Sequence, residues 1–389
     1  MIIGQFGDTF PPTLDGVGRV MMSYCDTLEK LGHRAPYISV ENPQFHEDVP
    51  METILYHSLP IPRQNYRLGV PLCSLRFRRQ MRHMDFDVVH AHSPFIAGHY
   101  ARRIARRRNI PLVATFHSKF YDDFYRATGS KTLARFVVRY VVRFFDTCDE
   151  VWAVGDKTAE VLRDYGYTGA VVTMPNGTNL IDISDDDRAR ARARFPLRPG
   201  VPTLMFTGQQ DFKKNIETIL LACAQLKNEG LDFQFVMVGE GPNAKEIRHI
   251  VDENGMTDRF TFTGFLGDRP LLLALYEQAD LFVFPSLYDN APMVVREAAS
   301  MGTPALLIKD SCSSEGMTDG QNAFLCENSV PAVAACIRDA LPRCREVGET
   351  ARETIPIPWS KLMQEVLARY QTLIERKKAR PSPQKRSKA

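Results

Sequence analysis

The eight cysteines include no CxxC pair. Neither a zinc site nor a disulfide framework is signalled, and reduced thiols are the expectation. No apolar run reaches the roughly 18 residues needed to span a bilayer. The opening MIIGQFGDTFPP lacks the charged start and apolar run of a signal peptide. The expected location is cytoplasmic, either free or peripheral on the inner face of the membrane. Two nucleotide signatures are also missing. GxxxxGK followed by Ser or Thr is absent, which excludes a P-loop ATPase, and in GVGRV the spacing G-x-G-x-x-G fails at Met21.

Acids are scarce in one region. From Pro60 to Arg108 eleven arginines face only Asp85 and Asp87, although the formal net charge of the whole chain is +3. The last stretch, RKKARPSPQKRSKA, has seven positive charges and no acid. Such regions suit an anionic membrane, a phosphorylated ligand or nucleic acid. Nucleic acid is not expected, because no recognised binding module is present and the arginines lack interleaved stacking residues. Metal-type acid pairs are poorly placed. MDFD at 84–87 leads straight into the apolar run VVHAH, and DDD at 185–187 sits in a charged, proline-bounded segment. No metal site is expected.

What is present is enough apolar sequence, 44% of 389 residues, for two cores. Short apolar runs alternate with helical patterns, first from IIGQFG to AVVTMPNG and again from TLMFTG to PALLIK. That rhythm predicts two α/β domains, each with a parallel sheet. The expected boundaries are 1–185 for the first domain, 186–200 for a linker and 201–355 for the second domain. A C-terminal helix follows at 356–378, then a basic tail at 379–389. The default ligand site in such a chain is a cleft between the domains.

Glycines sit at the strand ends, at Gly16 and Gly18, Gly208, Gly239 and Gly241. Glycine allows a tight turn and close approach of a ligand to the main chain, and a helix start then offers amides to an anion. Lys213 and Lys214 follow the Gly208 turn at a helix start, where a cation is out of place on dipole grounds unless an anion lies between. Lys214 is the expected phosphate ligand and Lys213 a surface residue. His90 and His92 alternate with Ala91 and so share one strand face, with no third ligand at zinc spacing. In LARFVVRYVVRFFD, Arg135, Arg139 and Arg143 stand four apart beside an apolar face. That pattern fits an amphipathic helix on anionic lipid, or equally a core helix with one solvated row.

The run ADLFVFPSLYDNAPMVVREAASMGTPAL resembles the sugar-nucleotide signature of the family-four retaining glycosyltransferases. PPTLDGVGRV, VVHAHSPF, LVATFHSKFYDDF, VTMPNGTN, VGEGP and IPIPWSKLMQEVLARY also match, so the resemblance covers nearly the whole chain. It implies the GT-B architecture: two facing Rossmann-like domains, a deep interdomain cleft, and a C-terminal helix returning to the first domain. The family motif is an acid, seven residues and a glutamate, here Asp289 to Glu297. By that pattern Asp289 holds donor-sugar hydroxyls and Glu297 the ribose, while the turn with Asn290, Ala291, Met293 and Val294 aims amides at the diphosphate or sugar. The chemistry is consistent, since carboxylates accept from vicinal hydroxyls and helix amides suit phosphates.

Further roles follow from the same resemblance. Gly16, Arg19, Gly208 and Gly239 line the donor. His117 faces the donor sugar, and His92 and Asp122 lie on the acceptor side, with His90 in the core. The family's usual arginine is replaced by Gln209, and Ala291-Pro292 stands where glycine and phenylalanine are common. The implied reaction is front-face transfer of a hexose from a nucleotide diphosphate sugar, UDP-hexose by default. It uses no metal and no cofactor beyond the donor. The acceptor is a small molecule or a lipid, with a loose likeness to enzymes acting on diacylglycerol-type lipids. Two alternatives stay open: a non-hydrolysing nucleotide-sugar epimerase, and a catalytically weak protein that binds a nucleotide sugar or a lipid surface.

Overall fold

The computed structural model describes residues 1–11, 15–45, 49–61 and 66–379. The chain forms two compact units, one of residues 1–176 with 359–389 and one of residues 177–358. Of the expected basic tail, only Ala379 falls among the described residues.

The first unit contains β1 (Ile3–Phe6), β2 (Tyr37–Val40), β3 (Thr53–Tyr56), β4 (Ser58–Pro60), β5 (Arg67–Gly69), β6 (Val88–Ala91), β7 (Leu112–Phe116), β8 (Glu150–Ala153) and β9 (Val171–Thr173). Seven of them make a parallel sheet in the order β3-β2-β1-β6-β7-β8-β9, and β4 and β5 form a separate antiparallel hairpin. β1, β2, β6 and β7 are buried along their whole length, as strands covered on both faces must be. The direction of winding reverses between β1 and β6. At such a switch point the carboxyl ends of the strands open to ligands.

The C-terminal helix Trp359–Ala379 packs on this first unit, as the resemblance implied. Its Trp359 meets Tyr24 of the helix Gly16–Lys30 edge to face, and its Tyr370 stacks on Trp152 of β8 at 5.6 Å. Arg369 and Lys377 add ion pairs to Glu150 and Asp149.

The second unit contains β10 (Thr203–Thr207), β11 (Gln234–Val238), β12 (Phe260–Gly264), β13 (Leu281–Val283), β14 (Ala305–Ile308) and β15 (Ala323–Cys326). All are parallel, in the order β12-β11-β10-β13-β14-β15, with the switch between β10 and β13. Both units are therefore Rossmann-like, and the fold is GT-B.

Two expected boundaries need correction. The stretch 186–200 is not a free linker, and the first unit ends at 176 rather than 185. Ser184 and Asp187 form a reciprocal capping box that starts a helix at Asp185–Arg194. Arg188 pairs with Glu277 and Arg190 with Asp268, while Ala191 and Phe195 enter the core of the second unit. The alternation of Arg and Ala disguised the helix, because small apolar side chains are enough to seat it. The aspartate run is thus a helix start, where acids oppose the positive end of the dipole. In MDFD, Asp87 accepts from the Ile2 amide.

Candidate functional site

In the second unit the loops after β10 and β11 touch backbone to backbone. Gly239 has φ +121°, and a Cβ there would lie 2.0 Å from the carbonyl oxygen of Gly208. A Cβ at Gly241 would lie 2.3 Å from the Gln210 carbonyl oxygen. These glycines serve close packing of two loops, which is a structural need before any ligand is considered. Gln210 binds the loops together: its amide donates to the Glu240 carbonyl at 3.0 Å and its side-chain Nε2 to the Gly239 carbonyl at 2.7 Å. Gln209 beside it is exposed.

Lys214 ends a short 3-10 turn (Phe212–Lys214) after β10 and is 9% exposed. Its Nζ lies 2.6 and 2.7 Å from the two carboxylate oxygens of Asp289. Ser286 Oγ also donates to Asp289 at 2.6 Å, and Ser313 Oγ donates to the Asp289 carbonyl at 3.3 Å. A charge this enclosed needs such partners. Lys213 is half-buried rather than a free surface lysine, since it pairs with Asp211 and lies 4.7 Å from the centroid of the Tyr288 ring.

Asn290 and Ala291 follow, and Ala291 sits at φ +42°, a left-handed conformation that is rare for a residue with a Cβ. Pro292 is the N-cap of the helix Met293–Ser300. Proline has no amide there, so the helix start presents Met293 and Val294 as its first N–H groups.

Glu297 lies on the same helix and is only 7% exposed. Its two oxygens meet Arg269 at 2.7 and 3.3 Å, a bidentate pair. Arg269 opens the helix Arg269–Gln278. Burial lowers its proton affinity, but the neighbouring Glu297 outweighs that and the net shift is upward. The sequence reading missed Arg269, Ser286 and Gln210. Arg269 has no motif of its own and meets Glu297 only because the turn after β12 brings it there.

In the first unit, His92 follows β6 and His117 follows β7. The rings of His90 and His92 stack at 4.2 Å, and those of His92 and His117 at 5.4 Å. His92 Nε2 is 2.8 Å from Gln5 Oε1, and His92 Nδ1 is 3.2 Å from His117 Nε2. His90 lies between the Tyr370 hydroxyl at 2.6 Å and the Thr115 hydroxyl at 2.7 Å. Burial drives all three rings below the usual histidine range, His117 down to about 3. His92, expected on the acceptor side, is buried and held between Gln5 and His117. His90 is core, as read. Asp122 is half-buried in the first turn of the helix Phe120–Thr128.

Gly16 is the exposed first residue of its helix, where Asp15 accepts from the Gly18 amide at 2.8 Å, and Arg19 follows within the first turn. The arginine row lies on the helix Lys131–Phe145, which buries Val138, Val141, Phe144 and Phe145. Phe136 on the same helix is 64% exposed, and Leu133 and Tyr140 are also exposed beside Arg135 and Arg139. Among the described residues no helix is long and apolar enough to cross a membrane. No group of three or more His, Cys, Asp or Glu among them could hold a metal ion.

With that geometry in view, comparison with known proteins is specific. Residues 14–181 match Glycosyltransferase Family 4, and residues 187–354 match Glycosyl transferases group 1. Both are transferase families, which removes the epimerase reading. The alpha-monoglucosyldiacylglycerol synthase of Streptococcus pneumoniae is 23% identical over 79% of this chain and 70% of its own length. The GDP-mannose-dependent alpha-mannosyltransferase of Corynebacterium glutamicum is 24% identical over 96% of this chain and 89% of its own. Among solved structures, sucrose-phosphate synthase from Thermosynechococcus elongatus superposes with a TM-score of 0.80 at 22% identity, covering 96% of this chain and 99% of that one. Anabaena HepE, solved with UDP and glucose, gives 0.76 at 16% identity and covers 96% and 100%.

Proposed function

The chain belongs to the family-four glycosyltransferases, and from that premise we propose that it is a retaining hexosyltransferase. It moves a hexose from a nucleotide diphosphate sugar, UDP-hexose first, to a hydroxyl of a lipid acceptor. The observation that carries this reading is the Lys214–Asp289 pair at the start of the helix that also bears Glu297. Two ion pairs, Lys214–Asp289 and Arg269–Glu297, flank a set of helix amides. Ribose and hexose each need carboxylate acceptors, and the diphosphate needs the cation and the amides.

In this mechanism Glu297, held by Arg269, accepts from the ribose hydroxyls. Asp289 accepts from hydroxyls of the donor sugar. Lys214 and the amides of Asn290, Ala291, Met293 and Val294 stabilise charge on the leaving diphosphate, as preorganised donors do. Gly208 and Gly239 keep the loops low, and Gln209 offers a neutral amide where an arginine is usual. The family resemblance assigns Gly16 and Arg19 to the phosphates and Asp122 to the acceptor side. His117 binds the sugar. The acceptor attacks on the face the diphosphate leaves, and the departing phosphate oxygen takes its proton.

The lipid acceptor is supported by the pneumococcal relative's name and by Phe136, Leu133 and Tyr140 exposed beside arginines. Peripheral attachment to the inner face of a membrane, by that helix, belongs to the same reading. The test is calorimetry with a panel of UDP- and GDP-sugars, repeated on Glu297→Ala, then a transfer assay with lipid acceptors first. Binding of one donor, weakened about tenfold or more by the substitution, supports the site. Binding without transfer to any acceptor would favour a catalytically weak binding protein. Failure of every donor to bind would remove the site assignment.

A further inference from the structure

The antiparallel hairpin β4–β5 is separate from the seven-stranded sheet, and its two faces differ. Ser58 pairs with Gly69, and a Cβ at Gly69 would lie 2.4 Å from the ring of Tyr56. That face is therefore seated on β3. Leu59 pairs with Leu68, so these two side chains share the opposite face, and both are exposed.

The helix Leu75–His83 is seated on the same ring. Its Phe77 meets Tyr56 at 5.1 Å and Tyr100 at 5.0 Å, and Met81, one turn on, is also buried. The remainder is turned to water. Leu75 is 76% exposed, Leu72 ahead of it is exposed, and so are Arg76, Arg78, Arg79 and Arg82. No acid stands in the first turn to offset the arginines there. Cations at a helix start oppose the dipole, and leucines in water forgo burial. One surrounding relieves both costs: anionic phosphates level with the arginines and hydrocarbon beneath them for the leucines.

We propose that the outer face of the hairpin β4–β5 and the start of the helix Leu75–His83 dock on an anionic lipid bilayer. Leu59, Leu68, Leu72 and Leu75 enter the acyl boundary, and the arginines meet lipid phosphates. A protein partner fits this face less well, because aromatic side chains rather than leucines anchor protein interfaces. The inference rests on the membrane-attached reading of the first unit and adds a second element to it. The two elements are joined through the helix Ile96–Arg108. Its Tyr100 meets Phe77, while the neighbouring His99 meets Tyr140 and Phe144 of the helix Lys131–Phe145.

Both native tryptophans, Trp152 and Trp359, are buried, so Leu75→Trp in the full chain gives a reporter for this face alone. Its emission is expected to move to shorter wavelength with phosphatidylglycerol vesicles and to be quenched by bromine on their acyl chains. With phosphatidylcholine vesicles it should stay as it was, and an equal shift there would overturn the proposal, since the arginines would play no part. Leu68→Ser combined with Leu75→Ser should lower sedimentation with phosphatidylglycerol vesicles about tenfold. Arg76→Glu, which suits the helix start, should lower it about fivefold or more. Phe136→Trp, read in the same way, separates the two elements. A shift there with none in Leu75→Trp overturns the inference and leaves the helix Lys131–Phe145 as the contact. A shift in Leu75→Trp with none in Phe136→Trp supports it and removes that other helix instead. Failure to bind either kind of vesicle overturns it, and dimers broken by Leu75→Ser would then give the face to a second copy of the chain. Donor binding is read by calorimetry without lipid, so its failure would count against the proposed function alone.

Discussion

The ammonium of Lys214 lies within 2.7 Å of both carboxylate oxygens of Asp289, 75 residues away in sequence. The proposed phosphate ligand and the proposed sugar ligand thus neutralise each other before a donor arrives. Removing either one leaves a half-buried charge without its partner, which is costly. Lys214→Ala is expected to lower turnover by about 10²–10³-fold, the usual cost of a lost charge partner for a developing anion. It should also lower the melting temperature of the ligand-free protein. Asp289→Asn should give a smaller loss of stability, because the amide oxygen still accepts from Lys214. Steady-state kinetics and thermal unfolding on both variants check this, and unaltered turnover in Lys214→Ala would contradict the assignment.

Arg269 is expected to matter for donor binding without touching the reacting atoms. It holds Glu297 by two hydrogen bonds in a geometry that lysine cannot reproduce. Arg269→Lys should weaken donor binding about tenfold while leaving kcat at saturating donor nearly unchanged. The split between KM and kcat is the observable.

Stability should fall as the solution is acidified. His90, His92 and His117 bind protons more weakly in the folded protein than in the unfolded chain. The unfolded state then holds more protons, so stability rises with pH. The contribution is complete above the ordinary histidine value of about 6.5 and is lost progressively as pH falls towards about 3, the His117 value. Asp8 and Asp15 are shifted up by burial and act in the opposite sense over the upper part of the carboxylate range. The histidine share is isolated by comparing melting temperatures between pH 7.5 and 5 for the wild type and His90→Gln, whose acid sensitivity should be smaller.

Gly239→Ala should destabilise the second unit. Alanine would have to hold φ +121° with its Cβ 2.0 Å from a carbonyl oxygen that belongs to another loop. Strain of this kind costs about 1–3 kcal/mol, and the contact adds to it. Denaturant unfolding measures the loss, and a change under about 0.5 kcal/mol would show that the loops move apart freely.

Binding to vesicles should depend on both the apolar and the basic members of the helix Lys131–Phe145. Phe136→Ser and Arg139→Glu should each reduce sedimentation with anionic vesicles. Arg139→Glu should lose about fivefold or more per charge, and neutral vesicles should be bound weakly by every form. Equal binding of neutral and anionic vesicles would remove the electrostatic part of the reading.

The parallel-sheet architecture was legible because buried strands leave continuous apolar runs such as VVHAH and LVATFH. The acid pair was legible because both members sit on one local segment whose helix start is written in the sequence. The helix Asp185–Arg194 was hidden by its charge, since it is held by an N-terminal capping box and by arginines that pair with residues far along the chain. The Glu297–Arg269 and His92–Gln5 contacts were hidden for a related reason. Each depends on two loops meeting at the end of a sheet, and no spacing within the sequence encodes that.

The C-terminal helix has a consequence for how the chain is made. Tyr370 closes over His90 and Trp152, and Trp359 covers Tyr24, so these aromatic faces of the first unit stay bare until the last helix has been synthesised. The second unit, continuous from 177 to 358, has every one of its elements made before that last helix. During translation the later-encoded unit is therefore the first that can finish folding. The earlier-encoded one must wait at the ribosome with its nucleus of rings unsealed, a window in which chaperone capture is most useful.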